Sequence, residues 1–442
     1  FDAFFNWQKT RYNIDLKKEW ILFSSGLVTA LYLIVNAFTN KDDSIIVLTP
    51  VYYPFHNAVK DNERNLITCD LKNDNGIFTI DFEKLENEII KNKVKLIIFC
   101  NPHNPVGRVW TNEEIERVLE ISKKHNLYIV FDEIHQDINM GVRPFISALS
   151  IKNKNDYIDK LIVLNSASKT FNLASLLNSH VIIPNEDIRK IYKKFVSKVN
   201  RTEFNLLGLI AAESAYKYGS DWLDGLLKTI KRNYEYIRDE FLNKVPEIII
   251  SPLEGTYLPF FDLRNMVSKD RVKEFIQDDC KIAIDFGEWF GKNFKGFIRV
   301  NIATDFKYIE YFVDKTIKQL KNKNYKCVCF SGGFKNATLI FVEKLKLDGE
   351  FSNIFHTKNN ILTGKVGGEM MFSDSKGNML LALQKLLNIS YNDTLVVGDG
   401  ANDLSMFKYA KNRVAFCSKE ILKKEANIII NEKDLRLLID KI

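Results

Sequence analysis

Five chemistry-bearing side chains stand at or just after apolar runs, closely enough to suggest one shared site. Lys169 lies in the stretch SASKTFNLA, Ser166 to Ala174, just after the run Leu161–Leu164. That run reads as a buried strand, and open α/β sheets gather their ligands beyond the carboxyl ends of such strands. A primary amine there suits a Schiff base with an aldehyde cofactor, although a single strand-end lysine is more often a surface ion-pair partner. Asp132 closes the run YIVFD, and a carboxylate buried at a strand end is costly unless a cation pairs with it. His135, three residues on, either contacts the same ligand or is a satisfied core histidine. Asn104 stands in the turn NPHNPVGR, at the end of the strand VKLIIFC. After SIIVLTP, Tyr52 or Tyr53 could lie flat on a heteroaromatic ring, or both could pack in the core.

The elements that must position these groups are set by the same pattern. Buried strands alternate with helical stretches such as Asn112–His125, the rhythm of a mostly parallel, helix-covered α/β sheet. Ser24, Ser25 and Gly26 precede a helix whose apolar face runs through Leu27, Ala30, Leu31, Ile34, Val35 and Phe38. A glycine turn opening a helix offers backbone N–H groups to a phosphate, and an ordinary serine N-cap is the plainer reading. Phe1–Tyr12, aromatic at helical spacing, reads as a packed helix.

The last third carries a second set of groups. The strand KCVCF leads into SGGF, Ser331 to Phe334, and a helix comes after it. Then come LTGKVGGE, read as a hairpin-like turn, and SDSKGNMLLAL, which holds Lys376. The strand TLVV runs into GDGANDLSMF, with Asp399, Asn402 and Asp403. Two carboxylates one turn apart at a strand end suit a hard cation such as magnesium. The charged run KQLKNKNY, Lys318 to Tyr325, reads as a helix end or linker before this portion.

Bulk composition narrows the classes. A chain of 442 residues has room for two or three domains, and 46% hydrophobic with 27% charged residues is an ordinary globular balance. The net charge of +7 is spread along the chain, which argues against nucleic-acid or membrane partners. None of the six cysteines has metal-ligand spacing, and Cys327 and Cys329 alternate within an apolar strand, so buried reduced thiols and a cytoplasmic location are expected. No signal peptide is evident, and Phe1 falls inside an apparent helix, so the chain reads as a fragment of a longer product.

In this order, PVYYPF, NPHNPVGR, DEIHQD and SASKTFNLA resemble the fold-type I pyridoxal-phosphate enzymes, and more narrowly the cystathionine β-lyase-type C–S lyases of the aminotransferase class I/II superfamily. EGTYLPFFDLR, the Gly287 turn and GFIRVNIAT continue the match over roughly residues 1–318. The resemblance implies a mostly parallel sheet with helices on both faces (about 1–200) and a smaller subdomain (about 201–320). It makes Lys169 the Schiff-base lysine, Asp132 the partner of the pyridine nitrogen, Asn104 a contact of the ring hydroxyl and Tyr52 the stacking ring. His135 would touch the same ring. Gly26, Leu27 and Val28 would hold the phosphate by their backbone, helped by Ser166 or Ser168, and Arg299 would grip the substrate α-carboxylate. The implied reaction is β-elimination from cystathionine or a related cysteine S-conjugate. An aminotransferase shares the same residues, and a non-catalytic fusion product that keeps cofactor binding is the other alternative. Ser25 and Ser175 depart from the subfamily's usual proline and glycine. The family also implies a homodimer, with a gating segment and a lent tyrosine ahead of Phe1, on which turnover depends more than cofactor binding.

Residues 321–442 resemble the phosphoserine-phosphatase type of the haloacid-dehalogenase superfamily, as a partial Rossmannoid α/β domain. By that resemblance Ser331 and Gly332 would bind the phosphoryl group, Lys376 would neutralise it, Asn402 would orient the site, and Asp399 and Asp403 would bind magnesium. The family's first motif, Asp-x-Asp, does not occur in this sequence, so no phosphatase activity is expected from the chain alone.

Overall fold

Runs of Val, Ile, Leu and Phe build the larger sheet. The structure, a computed structural model, describes residues 1–151, 157–201, 203–322, 326–345, 347–359, 361–433 and 437–438. It divides into two compact units, Phe1–Lys323 and Asn324–Ile442.

In the first unit, strands β1 (Ile21–Ser24), β2 (Ser44–Thr49), β3 (Asn65–Asp70), β4 (Val94–Cys100), β5 (Tyr128–Asp132), β6 (Leu161–Asn165) and β7 (Ser179–Ile182) form one sheet. Their order is β1-β7-β6-β5-β4-β2-β3, and only β7 runs against its neighbours. Successive side chains of a strand point to opposite faces, and the buried residues divide accordingly. Ile46, Leu48, Ile97, Phe99, Ile129 and Phe131 enter one core, while Ile45, Val47, Leu96, Ile98 and Val130 enter a second. Covering on both faces explains why these strands read as continuous apolar runs rather than alternating ones. The helix Asn112–Lys124 is set by a capping box, in which Thr111 and Glu114 satisfy each other's backbone N–H groups. The helix Asp2–Tyr12 buries Phe4 and Trp7, as its aromatic spacing implies.

The smaller part of this unit holds the helices Leu206–Tyr218, Ser220–Lys244 and Phe306–Asn322. Beside them a four-stranded antiparallel sheet joins Ile249–Ile250, Phe260–Asp262, Phe297–Arg299 and Asp285–Phe286, in that order. The segment between Ser251 and Phe260 is tied back to the large sheet: Gly107 O accepts from the N–H groups of Glu254 and Gly255, and Ile138 O accepts from Thr256.

The second unit has two three-stranded sheets. One joins Val328–Phe334, Gly349–Lys358 and Ile361–Gly368; the other joins Leu395–Gly398, Asn412–Phe416 and Ile428–Ile430, all parallel. Two expectations change here. LTGKVGGE is not a turn: most of it is the second arm of a long hairpin, its glycines carried within an exposed strand. Cys327 is exposed just ahead of the strand Val328–Phe334, and Cys329 is half-buried on that strand, which pairs on one side only among the described residues. The start of the expected linker belongs to the helix Phe306–Asn322, and residues 323–325 lie outside the described residues. No helix among the described residues is long and apolar enough to cross a membrane.

Candidate active site

Every group singled out in the first two-thirds lies at the carboxyl end of a strand of the large sheet, apart from Arg299. β1 leads to Gly26, β2 to Tyr52, β4 to Asn104, β5 ends on Asp132, and β6 leads to Lys169. Cys100 pairs with Asp132 and Asp132 with Leu164, so these ends are in register.

Lys169 sits in the one-turn helix Ala167–Thr170. Burial and the nearby Arg299 guanidinium hold its amine below the ordinary range, against the pull of Asp132. Asp132 is buried, and its Oδ1 accepts from Ile134 N–H at 3.1 Å. Burial pushes its carboxyl up to about 7, with Ile134 N–H and Lys169 opposing the shift. His135 is lowered to about 3 by burial, with Lys169 and Arg299 adding to it, so its ring is neutral at pH 7. Its Nδ1 has no hydrogen-bond partner among the described residues. These mutual electrostatic effects put Lys169, Asp132, His135 and Arg299 in one neighbourhood.

Tyr52 is half-buried and within the electrostatic reach of Arg299, Asp132 and Tyr257. Tyr53 instead turns to Trp289 and Phe290, so of the two tyrosines it is Tyr52 that faces the cluster. Gly26 has φ 95°, a backbone setting that favours glycine, and no side chain among the described residues caps the helix Leu27–Phe38 that it opens. The leading N–H groups of Leu27 and Val28 are thus presented at a helix N-terminus. Ser166 Oγ donates to Asn178 O at 2.6 Å and accepts from Ser168 N–H, so its proton is committed within the fold. Of the two serines, Ser168 is the better placed to donate to an anion.

Arg299 ends the strand Phe297–Arg299 in the smaller sheet. Its Nη1 donates to Asn104 Oδ1 at 2.7 Å, and its Nε and Nη2 both donate to Asp285 Oδ2. Asn104 Oδ1 thus faces Arg299, and its Nδ2 is the group that can donate to a ligand. Tyr257 and Asp285 belong to this cluster and were not found from the sequence. Tyr257 meets His135 edge-on, with ring centroids 5.7 Å apart. The signal for Tyr257 was present in EGTYLPFFDLR; Asp285 offered none beyond its place before Gly287.

In the second unit, Lys376 pairs with Asp403 Oδ1 at 2.6 Å, and both side chains are largely buried. Asp403 Oδ2 accepts from the N–H groups of Asp399 and Gly400 at 3.0 Å each. Asp403 therefore clips its own loop and holds Lys376. Asp399 and Asn402 are exposed. Among the described residues no group of three or more His, Cys, Asp or Glu side chains could hold a metal ion. Ser331 Oγ accepts from Gly333 N–H at 3.0 Å, and Gly332 O accepts from Asn353 Nδ2 at 3.1 Å. The structure thus gathers Lys376 and Asp403 directly.

Comparison with known proteins finds two families in the chain. The family model "Aminotransferase class I and II" matches residues 2–315, and "haloacid dehalogenase-like hydrolase" matches residues 226–411. The overlapping part, 226–315, folds within the first unit. The chain is 32% identical over 301 residues to cystathionine beta-lyase PatB of Bacillus subtilis (strain 168), covering 68% of this chain and 77% of that protein. Its structure is similar to that of cystalysin from Treponema denticola, which contains a pyridoxal 5'-phosphate cofactor. The TM-score is 0.71, with 37% identity over 73% of this chain and 82% of that one. Over 123 residues, 28% of the chain, it is 61% identical to a phosphoserine phosphatase of Wolinella succinogenes and spans 60% of that protein's length. The chain belongs to the class I and II aminotransferase family, with the fold-type I architecture, and continues into a haloacid dehalogenase-like unit.

Proposed function

We propose that the first unit binds pyridoxal 5'-phosphate and catalyses β-elimination from cystathionine or a related cysteine S-conjugate. With one water, the products are a thiol, pyruvate and ammonia. The observation that carries this reading is that Asp132 and Lys169 follow from neighbouring strand ends, with Arg299 bonded at 2.7 Å to Asn104 beyond the end of the next strand. The residues present fit the cofactor. Asp132 is desolvated with its carboxyl raised, and a cationic ring nitrogen beside it would restore the carboxylate. The Gly26 turn presents N–H groups for a phosphate, and Tyr52 offers a ring face. When bound, the cofactor supplies the electron sink for negative charge at the substrate α-carbon. Lys169 anchors its aldehyde and, with an amine held below the ordinary lysine range, takes the α-proton at Nζ. Arg299 orients the α-carboxylate, and neutral His135 and Tyr257 wall the cluster without adding charge.

The test is the visible absorbance of the purified chain with pyridoxal 5'-phosphate, before and after cystathionine. A visible band that is lost in Lys169→Ala, with pyruvate formed on addition of cystathionine, is expected. A band without pyruvate would remove the lyase reading. Exchange with an added keto acid, without thiol release, would make the protein an aminotransferase.

The reading carries a cytoplasmic setting and a homodimer. Support for the dimer is the exposed apolar start of the helix Leu206–Tyr218, at Leu206, Leu207 and Ile210, close to Ser25, whose Oγ donates to Glu203 O. Light scattering showing only monomer would count against it. For the second unit we propose no phosphatase turnover by this chain alone, supported by the lack of an Asp-x-Asp motif in its sequence. Phosphate release from phosphoserine with magnesium would overturn that.

A further inference from the structure

Arg299 reaches the site already holding a carboxylate. Asp285 and Arg299 face each other as register partners on adjacent antiparallel strands, so their pairing is built into the small sheet. The two-nitrogen edge of the guanidinium, Nε and Nη2, is given to Asp285 Oδ2, and Nη1 to Asn104 Oδ1. That edge is one of the two on which an arginine binds a carboxylate through parallel hydrogen bonds. Arg299 is buried, whereas the Asp285 side chain is 35% exposed. The acid can therefore leave for water at small desolvation cost, and the arginine cannot. Phe290 lies against the guanidinium, 4.5 Å from its carbon to the ring centroid, and holds it in place while its partner changes.

We infer that Asp285 is an internal competitor for the substrate α-carboxylate, occupying the Nε/Nη2 edge of Arg299 until a substrate carboxylate exchanges with it. This rests on the proposal that Arg299 grips that carboxylate. Asp285 then sets affinity and selectivity: a ligand must bring a full carboxylate to displace a full carboxylate, and a neutral carboxamide gains nothing from the exchange. The opposite role, a positioning acid that stays paired while Arg299 binds substrate through its outer nitrogens, predicts the reverse effect of removing the charge.

The experiment titrates the cofactor-loaded full chain by calorimetry with L-alanine, which has no β-leaving group, and with L-alaninamide, which lacks the carboxylate. The chains compared are wild type, Asp285→Asn, Asp285→Ser and Arg299→Gln. The expected result is L-alanine bound about tenfold more tightly by both Asp285 variants, a modest gain suited to a pair whose acid is a third exposed. L-alaninamide affinity should stay as in wild type. Unchanged or weaker L-alanine binding in both variants would overturn the competitor role. Arg299→Gln separates the layers. It should lower L-alanine affinity toward that of L-alaninamide, and if it does not, the role of Arg299 falls and that of Asp285 with it.

Discussion

Asp132 and Glu133 are neighbours in sequence, both buried, and both pushed up by burial, to about 7 and about 8. In an unfolded chain such groups titrate near about 3.9 and about 4.3. Between those values the folded state holds more protons, so each subtracts stability as pH rises. His56 and His103, lowered to about 4, and His135 and His180, lowered to about 3, act in the opposite sense. Below about pH 6.5 the unfolded chain binds protons that these buried rings do not, so stability climbs with pH up to that point. Four rings outweigh two acids below about pH 6.5, and above it the rings no longer oppose the acids. The cofactor-free chain should therefore be most stable near about pH 6.5 and lose stability toward pH 8, with Asp132→Asn flattening that fall. Urea midpoints across this range check it, and a steady rise to pH 8 would refute it. Lys169 and Asp132 were legible in the sequence because a continuous apolar strand draws attention to the polar residues at its carboxyl end. Asp285 was not, because its pairing with Arg299 depends on the register of short antiparallel strands.

At the scale of elements, the one-turn helix that carries Lys169 is too short to hold itself in place, and Asp137 does this for it. The Asp137 carboxylate accepts from Trp7 Nε1 at 2.9 Å, from Tyr12 Oη and from Thr170 Oγ1 at 2.7 Å. Three donors from the first helix and the lysine helix thus meet on one buried acceptor. Asp137→Ala leaves all three unpaired and should cost about 3 kcal/mol or more in denaturant unfolding. Asp137→Asn, which keeps an acceptor oxygen, should cost less, and equal losses would show that the hydrogen bonds are not the source. The larger sheet was legible because burial on both faces leaves unbroken apolar runs. The exposed hairpin of the second unit was not, since Gly364, Gly367 and Gly368 are common in turns and rare in strand interiors.

For the whole molecule, the two units have separate cores: the large clusters around the seven-stranded sheet, and a smaller one built on Leu380, Val396, Met406 and Phe407. A ligand that binds only the folded first unit raises only that unit's stability. Calorimetry should show two transitions, and pyridoxal 5'-phosphate should move one of them upward and leave the other in place. A single transition that shifts as a whole would show that the units unfold together. In the sequence, the apolar runs stop at the charged stretch Lys318 to Tyr325 and resume with a different motif order.

The thiols divide along the same line. Cys69, Cys100 and Cys280 are buried in the first unit, while Cys327 and Cys417 are exposed in the second. A thiol-directed fluorophore applied to the native protein would therefore mark the second unit alone, so that emission follows one half of the chain while the absorbance of a bound cofactor follows the other.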